Sequence, residues 1–378
     1  MSPKHAPAPA EPMAGKDGAG SPDAPASPLL EGMVSEGSRG HYLVETAQGV
    51  LRCVLRGRLR KHLLRATVSP ALSRKVRRAN VMARDPLAAG DRVRVLVTGE
   101  GQGVIEEILP RQGGSFTRED PGVASRSGVG KVTTVAGLDQ LVLVFAARQP
   151  DPHLGLLDRL LVLAEAQSLV AVVCLNKVDL GPDPAVLDRL DFYRALGYAV
   201  VLTSVATGEG LDELRRHFAG HTSALLGPSG VGKSSLLNAL EPGLGQRVSE
   251  ISRVTGKGRH TTSGTRVTAI AGPDGMPGGY VADTAGIRAM AMTGVAAGRL
   301  DWCFREFRPY LGQCFHDDCR HRHEPGCAVR EAVAGGSLDP RRYESYCRFY
   351  DEGAASRGRA WRDLISSRSL VGEGEFRM

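Results

Sequence analysis

The sequence has no long run of apolar residues. No stretch approaches the roughly 20 consecutive apolar side chains that a helix needs to cross a bilayer, and the N-terminus lacks the apolar core of a secretory signal. Neither a membrane protein nor a secreted protein is therefore expected. We predict a cytoplasmic protein without membrane contact.

Aromatic and β-branched residues are nearly absent from residues 1–35, which are rich in Pro, Ala, Gly and Ser. A segment of this composition cannot bury enough apolar surface to offset the entropy that folding removes. We predict a disordered tail over residues 1–35 and assign residues 353–378 as a C-terminal tail.

Acidic residues are missing from residues 51–80, although the whole chain has 41 Asp and Glu beside 48 Lys and Arg. Four of the basic residues in this interval are candidate RNA contacts: Arg56, Arg58, Arg60 and Lys61. An uncompensated block of positive charge favours a polyanionic partner. RNA is the polyanion that we expect.

The seven cysteines are an odd number, which does not suit a disulfide framework. Three of them cluster with a histidine and are candidate metal ligands: Cys314, Cys319, His321 and Cys327. Four such ligands suit one tetrahedral Zn²⁺ without an open position, so the metal should be structural. His316 and His323 lie nearby, and the spacing alone does not choose among the three histidines.

The pattern of apolar residues predicts a multidomain α/β protein. Short alternating runs broken by Gly and Asp over residues 40–109 indicate a small antiparallel β-barrel. Residues 111–135 show little periodicity and are predicted to be a linker. From residue 138 onward, apolar strands alternate with amphipathic helices, which is typical of a parallel sheet covered by helices.

A phosphate-loop motif follows one of these strands. Gly227 to Ser234 matches G-x-x-x-x-G-K-[ST] and lies between a predicted strand and a predicted helix. Backbone N–H groups of such a loop surround phosphates, where the helix N-terminus adds positive potential. Lys233 should neutralise the β- and γ-phosphates, and the Ser234 hydroxyl should bind Mg²⁺.

A guanine-reading motif, N-K-x-D, follows another strand and comprises Asn176, Lys177 and Asp179. Asp179 can accept hydrogen bonds from guanine N1–H and the exocyclic amine, which adenine does not offer. Lys177 should lie along the base, and Asn176 should join this loop to the phosphate loop. Ser204, at the end of the next strand, is expected to lie near the guanine carbonyl.

A D-x-x-G motif formed by Asp283 and Gly286 ends a further strand. In this motif the aspartate holds Mg²⁺ through water, and the glycine N–H meets the γ-phosphate. Thr261 or Thr262 could supply the threonine that closes on the metal, and the choice between them stays open. The predicted magnesium ligands are Ser234, Thr262 and Asp283. The full set predicted to bind nucleotide is Asn176, Lys177, Asp179, Ser204, Gly227, Ser229, Gly230, Val231, Gly232, Lys233, Ser234, Ser235, Thr261, Thr262, Asp283 and Gly286.

Ile287 follows the D-x-x-G glycine, where many GTPases have a glutamine that orients the attacking water. Because isoleucine cannot hydrogen-bond to water, we expect slow intrinsic hydrolysis. His260 is our candidate for positioning that water once a partner orders the loop, so the predicted catalytic residues are His260 and Lys233.

In ordinary GTPases the phosphate loop comes first and N-K-x-D comes last. Here the order is circularly permuted, because N-K-x-D precedes both the phosphate loop and D-x-x-G. The same sheet forms if the original termini are joined and the chain is cut elsewhere. The zinc segment then directly follows the second switch, the D-x-x-G motif. A movement of this switch that depends on the γ-phosphate would therefore be transmitted to the zinc segment.

Together, these features resemble the RsgA (YjeQ, EngC) family: a basic barrel containing C-V-L-R-G-R-L-R-K at residues 53–61, the permuted order, G-R-H-T-T, an apolar residue after D-x-x-G, and C-x4-C-x-H-x5-C. The likeness covers residues 36–352. Ala285 replaces the proline of the family's D-T-P-G, and Ser263 replaces a common third threonine.

The resemblance implies three domains: an OB-fold that binds RNA over residues 36–110, a circularly permuted P-loop GTPase domain over 136–298, and a helical zinc-binding domain over 299–352. It also implies a GTPase activated by the 30S ribosomal subunit that acts in late 30S assembly, binds 16S rRNA and is released by hydrolysis. GTP or GDP, Mg²⁺ and one structural Zn²⁺ are the expected ligands. No dimerisation signal stands out, so we expect a monomer.

Two other functions fit parts of the pattern. The chain could be an RNA-binding chaperone for which GTP is an affinity switch and turnover is incidental. An ATP-dependent small-molecule kinase is disfavoured because Asp179 pairs with guanine and not with adenine.

Overall fold

The computed structural model describes residues 29–38, 40–60, 87–111, 113–119, 132–242, 266–273, 276, 278–283 and 300–353. Within these residues the chain forms a barrel, a helix-covered sheet and a C-terminal helical unit. No helix among them is both long enough and apolar enough to cross a membrane.

The barrel is closed by five strands in the order β1-β2-β3-β5-β4. The strands are β1 (Leu30–Ser38), β2 (His41–Thr46), β3 (Gly49–Leu55), β4 (Arg92–Gly99) and β5 (Gln102–Ile108). Alternate side chains of β3 point into the core, so Leu51, Cys53 and Leu55 are buried while Arg52 and Val54 are exposed. β3 and β5 pair in parallel, which differs from the purely antiparallel barrel that the alternation predicted.

Two predicted boundaries are wrong. The barrel begins at Leu30, inside the predicted tail, because Val34 fills the barrel core and Met33 is buried in the core of the sheet. The predicted linker over 111–135 contains β6 (Gly114–Glu119) and most of β7 (Val132–Leu138), which pair as a two-stranded antiparallel sheet. Thr and Val residues favour strands. The interval between β6 and β7 is rich in Gly, however, so the sequence did not predict that the two strands pair.

The second unit is a six-stranded sheet in the order β10-β9-β8-β11-β13-β12. Its strands are β8 (Gln140–Ala146), β9 (Val170–Asn176), β10 (Ala199–Thr203), β11 (Thr222–Leu226), β12 (Arg266–Ile270) and β13 (Gly279–Asp283). All neighbours pair in parallel except β12, which runs antiparallel to β13. Every residue of β8 is buried, as expected for a strand covered on both faces.

Helices cover both faces of this sheet. Residues of α1 (Leu154–Ala166) and α2 (Pro184–Ala195) share one core with Leu141 and Leu143 of β8. Those of α3 (Leu211–Phe218) and α4 (Lys233–Leu240) share another core with Val142 and Val144. α2 begins with Asp183, whose carboxylate accepts from the Ala185 N–H, followed by proline at the first helical position.

The barrel contacts the sheet at its β12 edge. The Glu45 carboxylate on β2 accepts a hydrogen bond from the Ala269 N–H at 3.2 Å. A second contact joins the barrel to β7, where the Ala136 N–H donates to the Ala89 carbonyl at 2.9 Å. The barrel is therefore hydrogen-bonded to the six-stranded sheet at one place and to the β6–β7 sheet at another.

The C-terminal unit, residues 300–353, contains a 3₁₀ helix (Arg305–Tyr310), α5 (Ala328–Ala334) and α6 (340–353). Its apolar core contains Phe304, Phe307, Tyr346 and Phe349, and Val162 of α1 is part of the same cluster. α1 is therefore shared between the sheet and the C-terminal unit.

A buried arginine joins the two units. Arg342 of α6 is fully buried and donates to Asp158 of α1 and to Glu306, each at 2.6 Å. Asp158 also accepts hydrogen bonds from Tyr193 and Ser345. Burial alone would lower the pKa of Arg342, but the two carboxylates raise it above its ordinary value, so the guanidinium stays charged.

Arg342→Met should destabilise the protein strongly. Loss of the guanidinium leaves the buried Glu306 without its cation and Asp158 with only Arg189, at 3.7 Å. Removing one partner of a buried ion pair costs about 3 to 5 kcal/mol. Arg341→Met is the matched control, because its side chain is 69% exposed and pairs with Asp339 at the surface; it should cost less than about 1 kcal/mol. Urea unfolding followed by Trp302 fluorescence, in a Trp361→Phe background, measures both. Equal losses would contradict this role for Arg342.

Candidate nucleotide site and metal centre

Four predicted motifs meet at one edge of the sheet. The phosphate loop follows β11, N-K-x-D starts at the last residue of β9, Ser204 follows β10, and Asp283 is the last residue of β13. These four strands run parallel, so their carboxyl ends lie at the same edge. This is where open α/β sheets bind their ligands.

Two glycines of the phosphate loop leave no room for a side chain. Gly227 has a φ of 151°, and a Cβ atom there would lie 2.0 Å from the Val144 carbonyl oxygen. Gly232 has a φ of 95°, and a Cβ there would lie 2.4 Å from Nδ2 of Asn176. The loop therefore packs directly against β8 and against the N-K-x-D segment.

Lys233 begins α4, and its side chain folds back over the loop. Its Nζ donates to the carbonyl oxygens of Gly227 at 2.8 Å and of Pro228 at 2.7 Å. The ammonium thus lies over the loop whose N–H groups and helix N-terminus form a site for anions. Ser234 and Ser235, in the first turn of α4, are exposed.

Asn176 and Lys177 join the N-K-x-D segment to the phosphate loop. The buried Asn176 amide donates from Nδ2 to the Val231 carbonyl at 2.9 Å. Lys177 donates from Nζ to the Gly230 carbonyl at 2.8 Å and also to the Gln149 carbonyl. The Lys177 backbone is left-handed, with a φ of 62°, which turns the chain sharply after β9.

Asp179 lies at the exposed end of this segment. Its Oδ1 accepts a hydrogen bond from the buried Ser204 hydroxyl at 2.5 Å. Ser204 Oγ in turn accepts from the Thr207 N–H at 3.2 Å. Ser204 therefore holds one oxygen of the carboxylate in place, and the arrangement suits recognition of paired N–H donors by Asp179.

Part of the predicted site lies outside the described residues. His260, Thr261, Thr262 and Gly286 are in this group. Only the backbone of Asp283 is described, and it lies on β13 beside β11. The roles assigned to all five remain predictions.

The basic residues that follow β3 are exposed where they are described. Arg56, Arg58 and Arg60 are on the protein surface, and Arg56 forms an ion pair with Glu106. Lys61 lies outside the described residues.

The three cysteines and His321 converge in the C-terminal unit. Their ligand atoms all lie within 4.8 Å of one another. His321 Nδ1 lies 3.5 Å from Cys314 Sγ, 3.6 Å from Cys319 Sγ and 3.4 Å from Cys327 Sγ. Zn–S bonds of about 2.3 Å and Zn–N bonds of about 2.0 Å at tetrahedral angles separate sulfur from nitrogen by about 3.5 Å. The donor set therefore fits one zinc ion.

Asp301 supports the histidine from outside this cluster. Its Oδ2 lies 3.6 Å from Nε2 of His321, the ring nitrogen that points away from the sulfur atoms. A carboxylate behind a metal-binding histidine fixes the orientation of the ring. The structure thereby selects His321 over His316 and His323, which are exposed and lie outside the cluster.

Several residues that had no predicted role contact these sites. Thr203, Gln149 and Asp301 each contact a predicted site residue, at Asn176, Lys177 and His321. Thr203 could have been found, because it directly precedes Ser204 at the end of a strand. The other two contacts join segments that are distant in sequence and carry no local motif.

His321→Ala should lower the zinc content of the purified protein from one ion per chain to well below one. It removes one of four ligands from a closed site, whereas His316→Ala and His323→Ala leave the cluster whole and are the matched controls. Metal analysis of the three variants after dialysis measures the difference. Zinc loss in either control, or full zinc in His321→Ala, would overturn the assignment.

Residues 117–293 match the model of the RsgA GTPase family. The chain is 42% identical over 324 residues to the small ribosomal subunit biogenesis GTPase RsgA of Gemmatimonas aurantiaca, a match that covers 85% of this chain and 96% of the relative. The protein of the same description from Moorella thermoacetica is 39% identical, with 85% and 97% covered.

Two solved structures resemble the whole architecture. The crystal structure of YjeQ from Thermotoga maritima superimposes with a TM-score of 0.63 at 32% identity and covers 86% of this chain and 98% of its own. That of YloQ, described as a circularly permuted GTPase, gives 0.61 at 29% identity, with 88% and 97% covered. The sequence relatives and the shared permuted fold agree, and the chain therefore belongs to the RsgA GTPase family.

Proposed function

We propose that this protein binds GTP at the carboxyl edge of its sheet and hydrolyses it to GDP and phosphate. The observation that carries the proposal is the pair of hydrogen bonds from Asn176 and Lys177 to the phosphate loop. They join the segments that carry Asp179 and Lys233, which supports a single site formed by two residues that lie far apart in sequence. The family relationship supports the same activity.

Each end of the nucleotide has its own residues. Asp179 accepts from guanine N1–H and the exocyclic amine, with Ser204 holding the carboxylate. Lys233 and the N–H groups of the phosphate loop bind the β- and γ-phosphates. Ser234, Asp283 and Thr262 offer the oxygen ligands that Mg²⁺ prefers, and the ion would neutralise phosphate charge. His260 positions the attacking water.

The partner is the small ribosomal subunit. The curated relatives are described as small ribosomal subunit biogenesis GTPases, and this chain matches nearly their whole length. Arg56, Arg58 and Arg60 are exposed cations on the barrel that suit contact with phosphates of 16S rRNA, together with Lys61. The 30S subunit activates hydrolysis, and hydrolysis releases the protein, which acts as a monomer.

The zinc ion has a structural role. Cys314, Cys319, Cys327 and His321 would fill its four positions, so no position is open to substrate. The ion would hold together a unit that is itself joined to α1 through Arg342.

Asp179→Asn should raise the Kd for GDP by about 100-fold, because two hydrogen bonds to guanine are lost or reversed. The same variant should bind xanthosine diphosphate more tightly than GDP, since an amide can donate to the xanthine oxygen. Asp183→Asn is the control, because asparagine caps a helix as well as aspartate does. Titration with fluorescent nucleotides gives each Kd. An unchanged preference for GDP in Asp179→Asn would contradict the proposed guanine contact.

Purified 30S subunits should stimulate GTP turnover strongly. His260→Ala should reduce the stimulated rate by about 100-fold or more, the usual contribution of a positioned acid–base group, while the Kd for GDP stays unchanged. His221→Ala is the control, because His221 precedes β11 at the opposite edge of the sheet. GTP-dependent 30S binding without stimulation would favour the affinity-switch function instead. Full stimulation of His260→Ala would remove its role.

A further inference from the structure

A chain of buried hydrogen bonds runs behind the guanine-reading segment. Thr203, the last residue of β10, places its Oγ1 3.2 Å from Oδ1 of Asn176 and 3.3 Å from Sγ of Cys174. Cys174 and Thr203 are completely buried, and Asn176 is 2% exposed. The chain ends where Asn176 Nδ2 meets the Val231 carbonyl in the phosphate loop.

The direction of every hydrogen bond in this chain is determined by chemistry. An amide oxygen can only accept, so Thr203 must donate its hydroxyl proton to Asn176 Oδ1. The Thr203 oxygen is then available as an acceptor, and the Cys174 thiol donates to it. Burial raises the pKa of that thiol to about 12, so the thiol keeps its proton near neutral pH.

These hydrogen-bond directions allow only one orientation of the Asn176 amide. A 180° turn of the amide would point its NH₂ group at Thr203 and its oxygen at the Val231 carbonyl, placing two acceptors against each other. The Val231 carbonyl therefore requires Nδ2 to face the phosphate loop, and the Thr203 hydroxyl stabilises this orientation by donating to Oδ1 on the other side of the amide. Gly232 packs against the same Nδ2 atom, so a displaced amide would also disturb the first residue before α4.

We propose that Thr203 and Cys174 are positioning residues for nucleotide binding, which act through Asn176 to hold the phosphate loop in its binding shape. The inference rests on the proposed function, because it assigns the phosphates to this loop. Neither residue is expected to touch the nucleotide, since both are buried behind Asn176. Their effect on binding should therefore disappear when the Asn176 side chain is removed.

Thr203→Val replaces the hydroxyl with a methyl group of similar shape. It leaves Asn176 Oδ1 without its donor, and we expect the Kd for GDP to rise about 10-fold. Thr203→Ser keeps the hydroxyl and should bind within about 2-fold of the unaltered protein. Cys174→Val removes only a weak donor and should raise the Kd about 2- to 3-fold, whereas Cys174→Ser should restore it.

A double-mutant cycle provides the decisive test. Thr203→Val, Asn176→Ala and the double variant are titrated with GDP, and the double variant should bind no more weakly than Asn176→Ala alone. Additive losses would overturn the inference, because Thr203 would then act independently of Asn176. Thermal unfolding shows whether Thr203→Val folds. If it does not fold, Cys174→Val takes its place in the same cycle as a milder change.

A comparison of GDP with GMP separates positioning of the phosphate loop from a general loss of structure. Thr203→Val should weaken the binding of GDP more than the binding of GMP, because Val231 belongs to the loop that would bind the β-phosphate. Ser204→Ala is the matched control and should weaken the binding of both nucleotides equally, since Ser204 contacts Asp179. Equal weakening of both ligands by Thr203→Val would contradict the inference. Failure of the unaltered protein to bind GDP at all would instead contradict the proposed function.

Discussion

Two hydrogen bonds between the N-K-x-D segment and the phosphate loop are the contacts on which the nucleotide site depends. Asn176 reaches Val231 and Lys177 reaches Gly230, so residues more than 50 positions apart form one surface. The permuted chain order does not disturb this pairing, because β8 lies between β9 and β11 in the sheet. The N-K-x-D segment and the phosphate loop therefore begin close together at the same edge of the sheet. The order of the strands in space, and not their order in the chain, is what brings the two loops together.

The fold and the site could be predicted from the sequence to different extents. The parallel sheet was predictable because β8 and β9 contain continuous apolar runs, and because β11 leads directly into the phosphate-loop motif. The cysteine cluster was predictable because all its members are close in sequence. The start of β1 and the pairing of β6 with β7 were not, since short strands gain their stability from partners that the local sequence does not specify. The direct contact of Arg342 with Asp158 joins residues 184 positions apart and has no local signal.

The C-terminal unit has a firmer connection to the rest of the protein than its place after the second switch suggested. Besides Arg342, Arg305 and Arg308 of this unit form ion pairs with Glu165 of α1. Asp339 pairs with Arg189 of α2. The unit is therefore held on the helices that cover one face of the sheet. The sequence predicted that the nucleotide state affects the zinc segment through the chain that follows the second switch, but residues 284–299 of this chain lie outside the described part. α1 provides a second connection between the cysteine cluster and the sheet.

The contact between Glu45 and Ala269 bears on how the protein behaves at high concentration. β12 is the last strand of its sheet, and an outer strand offers unpaired backbone groups to which another chain can add a strand. The barrel lies against this strand, and its carboxylate takes up one of those N–H groups. The barrel thus also shields the sheet from edge-to-edge polymerisation, so shortening the chain to its hydrolase core would expose a self-association surface.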